Sequence, residues 1–234
     1  MKRSELNAIL KENEAFLREM KFNLPPFAYF TPEEWKQKDH SYDEIRRHML
    51  GWDITDYGTD DYRKVGLFLF TIRNGSLSEP DCIKTYAEKL LIVDRGQVTP
   101  MHYHAHKMED IINRGGGVLA VKLYNSLPDG GFADTPVTVT TDGHKYEVPA
   151  GSIVRLAPGE SISLPPFQYH AFWGEGSKVL VGEVSMVNDD NTDNYYHDPV
   201  GRFPKIEEDE APLYLLCNEY PEAPERCENG DKDR

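Results

Sequence analysis

The apolar positions of this chain change period once. Between residues 4 and 20, Leu6, Ile9, Leu10, Phe16, Leu17 and Met20 recur at helical spacing, with Ser4 as a candidate cap and Leu24-Pro25-Pro26 as a stop. Thr31-Pro32-Glu33-Glu34-Trp35 predicts a second helix start: Thr31 caps, Pro32 takes the first position, and Glu34 stands three residues beyond the cap. A further helical segment is expected from Tyr42 to Leu50, and the acidic stretch Asp53 to Arg63 reads as a loop.

From Val65 onward the pattern becomes short β-branched and aromatic runs punctuated by Gly, Pro, Asn and Asp. These runs are Val65–Ile72, Thr85–Val93, Val98–His104, Val118–Tyr124, Val137–Thr141, Lys145–Val148, Ser152–Leu156, Ser161–Leu164, Tyr169–Trp173 and Val179–Val187. With no helical period between them, they predict an all-β antiparallel sandwich or barrel. Asp142-Gly143 marks a tight hairpin, because both residues tolerate the positive φ of a primed turn. The expected organisation is a helical segment over 1–63 packing on the barrel, a barrel domain over 64–220, and a polar, disordered tail over 221–234.

Composition narrows the function classes. A formal charge of -14 and a pI near 5.0 repel phosphate backbones and anionic lipid, so neither nucleic acid nor membrane is an expected partner. No apolar run is long enough to span a bilayer, and Met1-Lys2-Arg3-Ser4 leads into an amphipathic pattern and not a signal core, so a cytoplasmic location is expected. Cys82, Cys217 and Cys227 are far apart and form no Cys-x-x-Cys pair; all three read as plain thiols.

The candidate chemistry lies between Gly96 and Gly116. His102 and His104 are two apart, which in a strand places both imidazoles on one face, and the turn-sized gap Ala105-His106-Lys107 allows Glu109 to return toward them. Two neutral nitrogens and a carboxylate make most of the coordination sphere of a divalent transition metal. His106 shares their parity but falls where the chain must bend, and reads as a solvated turn residue. Gly115-Gly116-Gly117 lacks the Lys-Ser/Thr and following helix of a phosphate loop and predicts a β-turn or bulge.

Written as Gly96, five residues, His102-x-His104, four residues, Glu109, six residues, Gly116, the stretch resembles the first motif of the cupin superfamily. Gly159, Pro165, Phe167-Gln168-Tyr169-His170 and Gly174 resemble the second, with Phe167 where the motif has Gly and Gly174 where it has Asn. The resemblance implies a cupin double-stranded β-helix, a jelly-roll barrel with N-terminal helices, and adds His170 to His102, His104 and Glu109 as a fourth metal ligand. Such a set leaves two open positions on an octahedral ion, enough for adjacent oxygens of a vicinal diol or a hydroxycarbonyl compound, and does not itself choose the metal.

Longer strings resemble a narrower group, the D-lyxose ketol-isomerase family of cupin sugar isomerases. They include Gly51-Trp52-Asp53-Ile54-Thr55-Asp56-Tyr57-Gly58, Glu109-Asp110-Ile111-Ile112-Asn113-Arg114-Gly115-Gly116-Gly117, Tyr169-His170-Ala171-Phe172-Trp173-Gly174-Glu175 and Gly201-Arg202-Phe203-Pro204-Lys205-Ile206-Glu207-Glu208-Asp209-Glu210. The resemblance implies a Mn2+-assisted interconversion of free D-lyxose and D-xylulose, with side activity on D-mannose and D-fructose, in a homodimer. It also supports Lys107 as a catalytic amine, with Glu207 folding back over the mouth as the carboxylate base. Phe172 and Trp173 are candidates for an apolar wall against the sugar, and Lys84, Glu183, Asp189 and Asp190 for hydroxyl binding. The competing classes are a cupin oxygenase on the same ligands, which would want an apolar, oxygen-accessible cavity, and a non-enzymatic sugar- or metal-binding cupin lacking an acid–base pair.

Overall fold

Leu67-Phe68-Leu69-Phe70 shows no polar alternation because both of its faces are covered: Leu67 and Leu69 enter one buried apolar cluster, Phe68 and Phe70 another. The protein, a computed structural model, is described over residues 1–189, 192–201 and 203–225. Most of the expected tail, Cys227, Arg202 and the hydroxyl-binding candidate Asp190 lie outside the described residues.

Three α-helices come first: α1 (Arg3–Glu19), α2 (Pro32–Trp35) and α3 (Asp43–Arg47). The strands are β1 (Gly51–Thr55), β2 (Leu67–Arg73), β3 (Tyr86–Val93), β4 (His102–Tyr103), β5 (Glu109–Ser126), β6 (Phe132–Ala133), β7 (Val137–Thr141), β8 (His144–Val148), β9 (Ile153–Leu156), β10 (Ser161–Leu164), β11 (Gln168–Met186) and β12 (Tyr195–Tyr196). They pair antiparallel in the order β1-β2-β3-β11-β5-β10-β7-β8, with β9 and β6 also on β5, β4 on β11 and β12 on β4. The result is a cupin-type β-sandwich organised on the long β5–β11 ribbon. The first half of β5 pairs with the second half of β11, Glu109 opposite Ser185, and their other halves meet where Leu123 lies opposite His170.

Four sequence expectations change here. Asp53 to Thr55, expected as the start of a loop, belongs to strand β1, because Trp52 and Ile54 bury beneath α1 while the strand pairs along β2. Val118–Tyr124 is the second half of β5, whose first half begins at Glu109. Tyr169–Trp173 and Val179–Val187 likewise belong to one strand, β11. The joint is a bulge at the glycines: Gly115 and Gly116 take φ of 147° and 95°, Gly176 takes 83°, and a Cβ on Gly116 would stand 2.2 Å from the Lys178 carbonyl oxygen. Ser4 is not the cap of α1; Lys2 holds that position, and the Ser4 amide and hydroxyl donate to Asp209 at 2.9 and 2.7 Å. The third helix is shorter than the Tyr42 to Leu50 stretch, running only from Asp43 to Arg47. By contrast, the Thr31–Glu34 capping box forms, and Asp142 and Gly143 turn β7 into β8 with φ of 49° and 82°.

Two apolar clusters result. One fills the sandwich with Leu69, Leu91, Ile111, Val121, Val139, Ile162, Phe172 and Val181. The other joins Leu6, Ile9, Leu10 and Leu17 of α1 to Phe68, Phe70, Leu90, Ile92 and Leu180 on the outer sheet face. Helix α1 is also tied at its start: the buried Arg3 guanidinium donates to Glu208 at 2.6 Å and Glu219 at 2.5 Å. Hydrogen bonds to charged groups contribute about 1.5–3 kcal/mol. Arg3→Ala is expected to lower Tm by about 5–10 °C, since 1 kcal/mol corresponds to about 2–4 °C in a domain of this size; thermal unfolding by circular dichroism measures it. An unchanged Tm would show that the C-terminal segment does not anchor the helix.

Candidate active site

The period of two along β4 and the register of β11 bring three imidazoles together. His102 lies opposite His170 in the β4–β11 pair. One ring nitrogen from each of His102, His104 and His170 lies within 4.8 Å of the others, a group able to hold a metal ion. The backbone sets their tautomers. His102 Nδ1 lies 2.9 Å from the Pro100 carbonyl oxygen, His104 Nδ1 2.8 Å from that of Asp193, and His170 Nδ1 3.1 Å from that of Gln168. A carbonyl oxygen only accepts, so each Nδ1 carries a proton, which leaves Nε2 as the ring nitrogen that can serve as a ligand.

The electrostatics agree. Burial, reinforced by His170 and His104, holds the His102 imidazole well below its ordinary pKa, so it is neutral at neutral pH. Burial by itself would raise Glu109, but the neighbouring Lys107 ammonium, with His104 beside it, reverses the sign and holds its carboxyl well below the usual range. Glu109 stands 3.1 Å from His170 Nε2 and 3.5 Å from His104 Nε2. The His170 Nε2 atom is buried and makes no properly directed hydrogen bond. Three imidazole nitrogens within reach of one ion, with the Glu109 carboxylate beside two of them, are a donor set that fits a divalent cation.

One wall of this narrow cavity, about 50 Å³, carries charge where a core residue is normally apolar. Lys107 Nζ lies 2.8 Å from Glu109, 2.9 Å from Glu183 and 3.0 Å from Asn188 Oδ1. Lys89 Nζ lies 3.9 Å from the same Glu183 oxygen. All four ionisable groups are at most 4% exposed. Glu183 lies opposite Lys89 on β3, inside the sandwich with Val181 and Leu91. The remaining wall includes Leu69, Phe172, Asn194 and Tyr196.

A family model described as D-lyxose isomerase matches residues 1–220. The chain belongs to that family. A D-lyxose/D-mannose isomerase of Serratia proteamaculans is 52% identical over 223 residues, covering 94% of this chain and 98% of the relative. Its counterpart from Escherichia coli O157:H7 is 49% identical over the same coverage. Among solved structures, a Cellulomonas parahominis L-ribose isomerase has the same fold, with a TM-score of 0.59 at 18% identity over 88% of this chain and 98% of its own. Membership makes the chain a sugar isomerase, an intramolecular oxidoreductase.

Within the D-lyxose isomerase framework, the residues named from sequence divide. His102, His104, Lys107, Glu109, His170, Phe172 and Glu183 line one cavity. Glu207 does not reach it. Its carbonyl accepts from the Arg3 amide at 2.9 Å and its own amide donates to Met1, so it straps the exposed edge of α1. Lys84 pairs with Glu44 of α3, outside the cavity. Trp173 has the opposite parity to Phe172 on β11, lies across from Ala120, and is half-buried on the other face. Asp189 lines a separate cavity of about 390 Å³ beside His48, Asn74 and Cys217, and accepts from the Thr192 hydroxyl at 2.7 Å.

Sequence reasoning missed Lys89, Asn188, Asn194, Tyr196 and Asp193. Lys89 and Glu183 carried a readable signal, a charge at core parity within an apolar strand. Asp193 carried none, because its contacts are to the backbone of a distant loop.

Proposed function

We propose that this enzyme interconverts D-lyxose and D-xylulose, and D-mannose and D-fructose, as free sugars, by proton transfer between C1 and C2. The observation that carries the reading is the buried carboxylate–ammonium pair, Glu183 and Lys107 at 2.9 Å, beside the three-histidine group. A non-catalytic sugar-binding cupin has no need to bury such a pair, and an oxygenase has no use for it.

His102, His104, Glu109 and His170 would hold the metal, for which Mn2+ is the proposed ion. Once bound, it supplies Lewis acidity to the neighbouring carbonyl and hydroxyl oxygens. The remaining chemistry belongs to side chains. Glu183 takes the proton from C2 of the aldose while the Lys107 ammonium gives one to the carbonyl oxygen on C1, leaving an enediol. Lys107 then recovers a proton from the hydroxyl on C2, and Glu183 returns its proton to C1, giving the ketose and restoring both groups. Glu183 thus takes the role that the family resemblance implied for Glu207. The proton that Glu183 holds between the two transfers exchanges with solvent during the life of the enediol, so hydrogen from the solvent reaches C1.

Turnover of D-lyxose in deuterated water tests the proposal. D-xylulose carrying deuterium at C1 is the expected product. Product with only protium at C1 would replace proton transfer with a hydride shift, and no product from either aldose would remove the isomerase reading for these sugars.

A further inference from the structure

Lys107 and His104 stand on the same loop, and one residue far along the chain holds them both. The Asp193 carboxylate accepts three consecutive backbone amides: Ala105 at 2.9 Å and His106 at 3.0 Å on Oδ1, and Lys107 at 2.9 Å on Oδ2. Consecutive amides pointing into one concavity form an anion nest, and here its anion is a side chain of the protein itself. The carbonyl of the same residue accepts the His104 Nδ1 proton at 2.8 Å. Asp193 is 6% exposed and follows a turn in which its own amide donates to the Asp189 carbonyl at 3.0 Å. Two residues on, β12 pairs with β4, Tyr196 opposite His102, so the clamp continues directly into the strand that covers the metal-binding histidines.

We infer that Asp193 is a positioning residue that couples the metal group to the acid–base pair. Its carbonyl orients one imidazole, and its carboxylate sets where the Lys107 side chain starts. The inference rests on the isomerase reading for its catalytic half and on the histidine group alone for its metal half.

Two substitutions separate the halves. In Asp193→Asn, the amide oxygen keeps the Ala105 and His106 donors, while the NH2 group faces the Lys107 N–H, donor against donor. The segment stays anchored and His104 keeps its partner, but Lys107 is displaced. A misplacement near 1 Å costs about 10²-fold, so kcat on D-lyxose is expected to fall about 10- to 100-fold with KM nearly unchanged. Manganese affinity, measured by competition with a chromophoric chelator, should stay close to that of the wild type. In Asp193→Ala the whole nest empties, the 105–107 loop is no longer anchored against the carbonyl that orients His104, and manganese binding is expected to weaken about 10- to 100-fold. Thr192→Ala, which loosens the same turn without touching the clamp, should change neither quantity appreciably.

Asp193→Asn with full kcat, or Asp193→Ala holding manganese as tightly as the wild type, would overturn the inference. Thermal melts of the metal-free proteins identify a variant that fails to fold, in which case the other variant decides. If the wild type itself leaves D-lyxose unchanged, the isomerase reading fails, and the manganese affinity of Asp193→Ala still judges the clamp.

Discussion

Glu183→Gln is expected to reduce D-lyxose isomerisation by about 10³- to 10⁴-fold, the upper range for a positioned acid–base group, while the protein still folds and binds manganese. Gln fills the same volume and its carbonyl oxygen can accept from Lys107 Nζ, so the 2.9 Å contact need not be lost. What is lost is the ability to take a proton from carbon. The three-histidine group is untouched, because Glu183 pairs with the two lysines. The same substitution at Glu207 should leave kcat within about twofold, as expected for an exposed surface residue away from special features. Steady-state kinetics with metal content measured on the same samples distinguishes the two. Glu183→Gln with wild-type turnover, or Glu207→Gln with none, would return the base to the C-terminal segment.

That contrast shows what was legible in the chain. The His102-x-His104 spacing encodes shared orientation directly, because a strand has period two, and His170 followed from a motif with similarly local geometry. The acid–base pair was half legible. Lys107 lies two residues from Glu109 and had to be near the histidines, whereas its carboxylate partner depends on which strand of the sandwich passes overhead. The parity of Glu183 with Val179 and Val181 was the available clue. A charged residue on the buried face of an apolar strand needs a partner, and the cross-strand position of Lys89 supplies one. Glu207 sits in an acidic run whose neighbours Glu208 and Asp209 bind Arg3 and Ser4. The run fastens a helix.

The strand boundaries missed in sequence have a related cause. A bulge that lets β5 and β11 run through both layers appears in sequence as glycines interrupting two apolar runs, the same pattern that a turn between separate strands produces. Only the pairing partner distinguishes them: Arg114 is left unopposed between Gly115 and Asn113, so the ribbon bends without ending. Asp193 lies at the other extreme, since its importance comes entirely from three amides more than eighty residues away.

His170→Ala is expected to abolish stoichiometric manganese binding and to lower isomerisation by about 10³-fold or more, the rate equivalent of several kcal/mol of Lewis-acid stabilisation. His170 is 1% exposed, its Nδ1 proton is committed to Gln168, and its Nε2 finds no directed partner among the described protein groups. Such an atom is costly to bury unless something binds to it. The variant therefore has two opposite effects on the fold. Without metal, removing an unsatisfied polar group offsets part of the cavity left by the imidazole, and the melting temperature should move little. With metal at 100 times its Kd, the wild type gains about 2.7 kcal/mol, or about 5–10 °C in a domain of this size, and His170→Ala should gain almost none. Melting curves with and without manganese, alongside metal analysis of the purified proteins, measure both effects. A variant that keeps the manganese-dependent rise in Tm would show that the ion binds elsewhere, and the three-histidine group would then have to be read as a buried polar cluster.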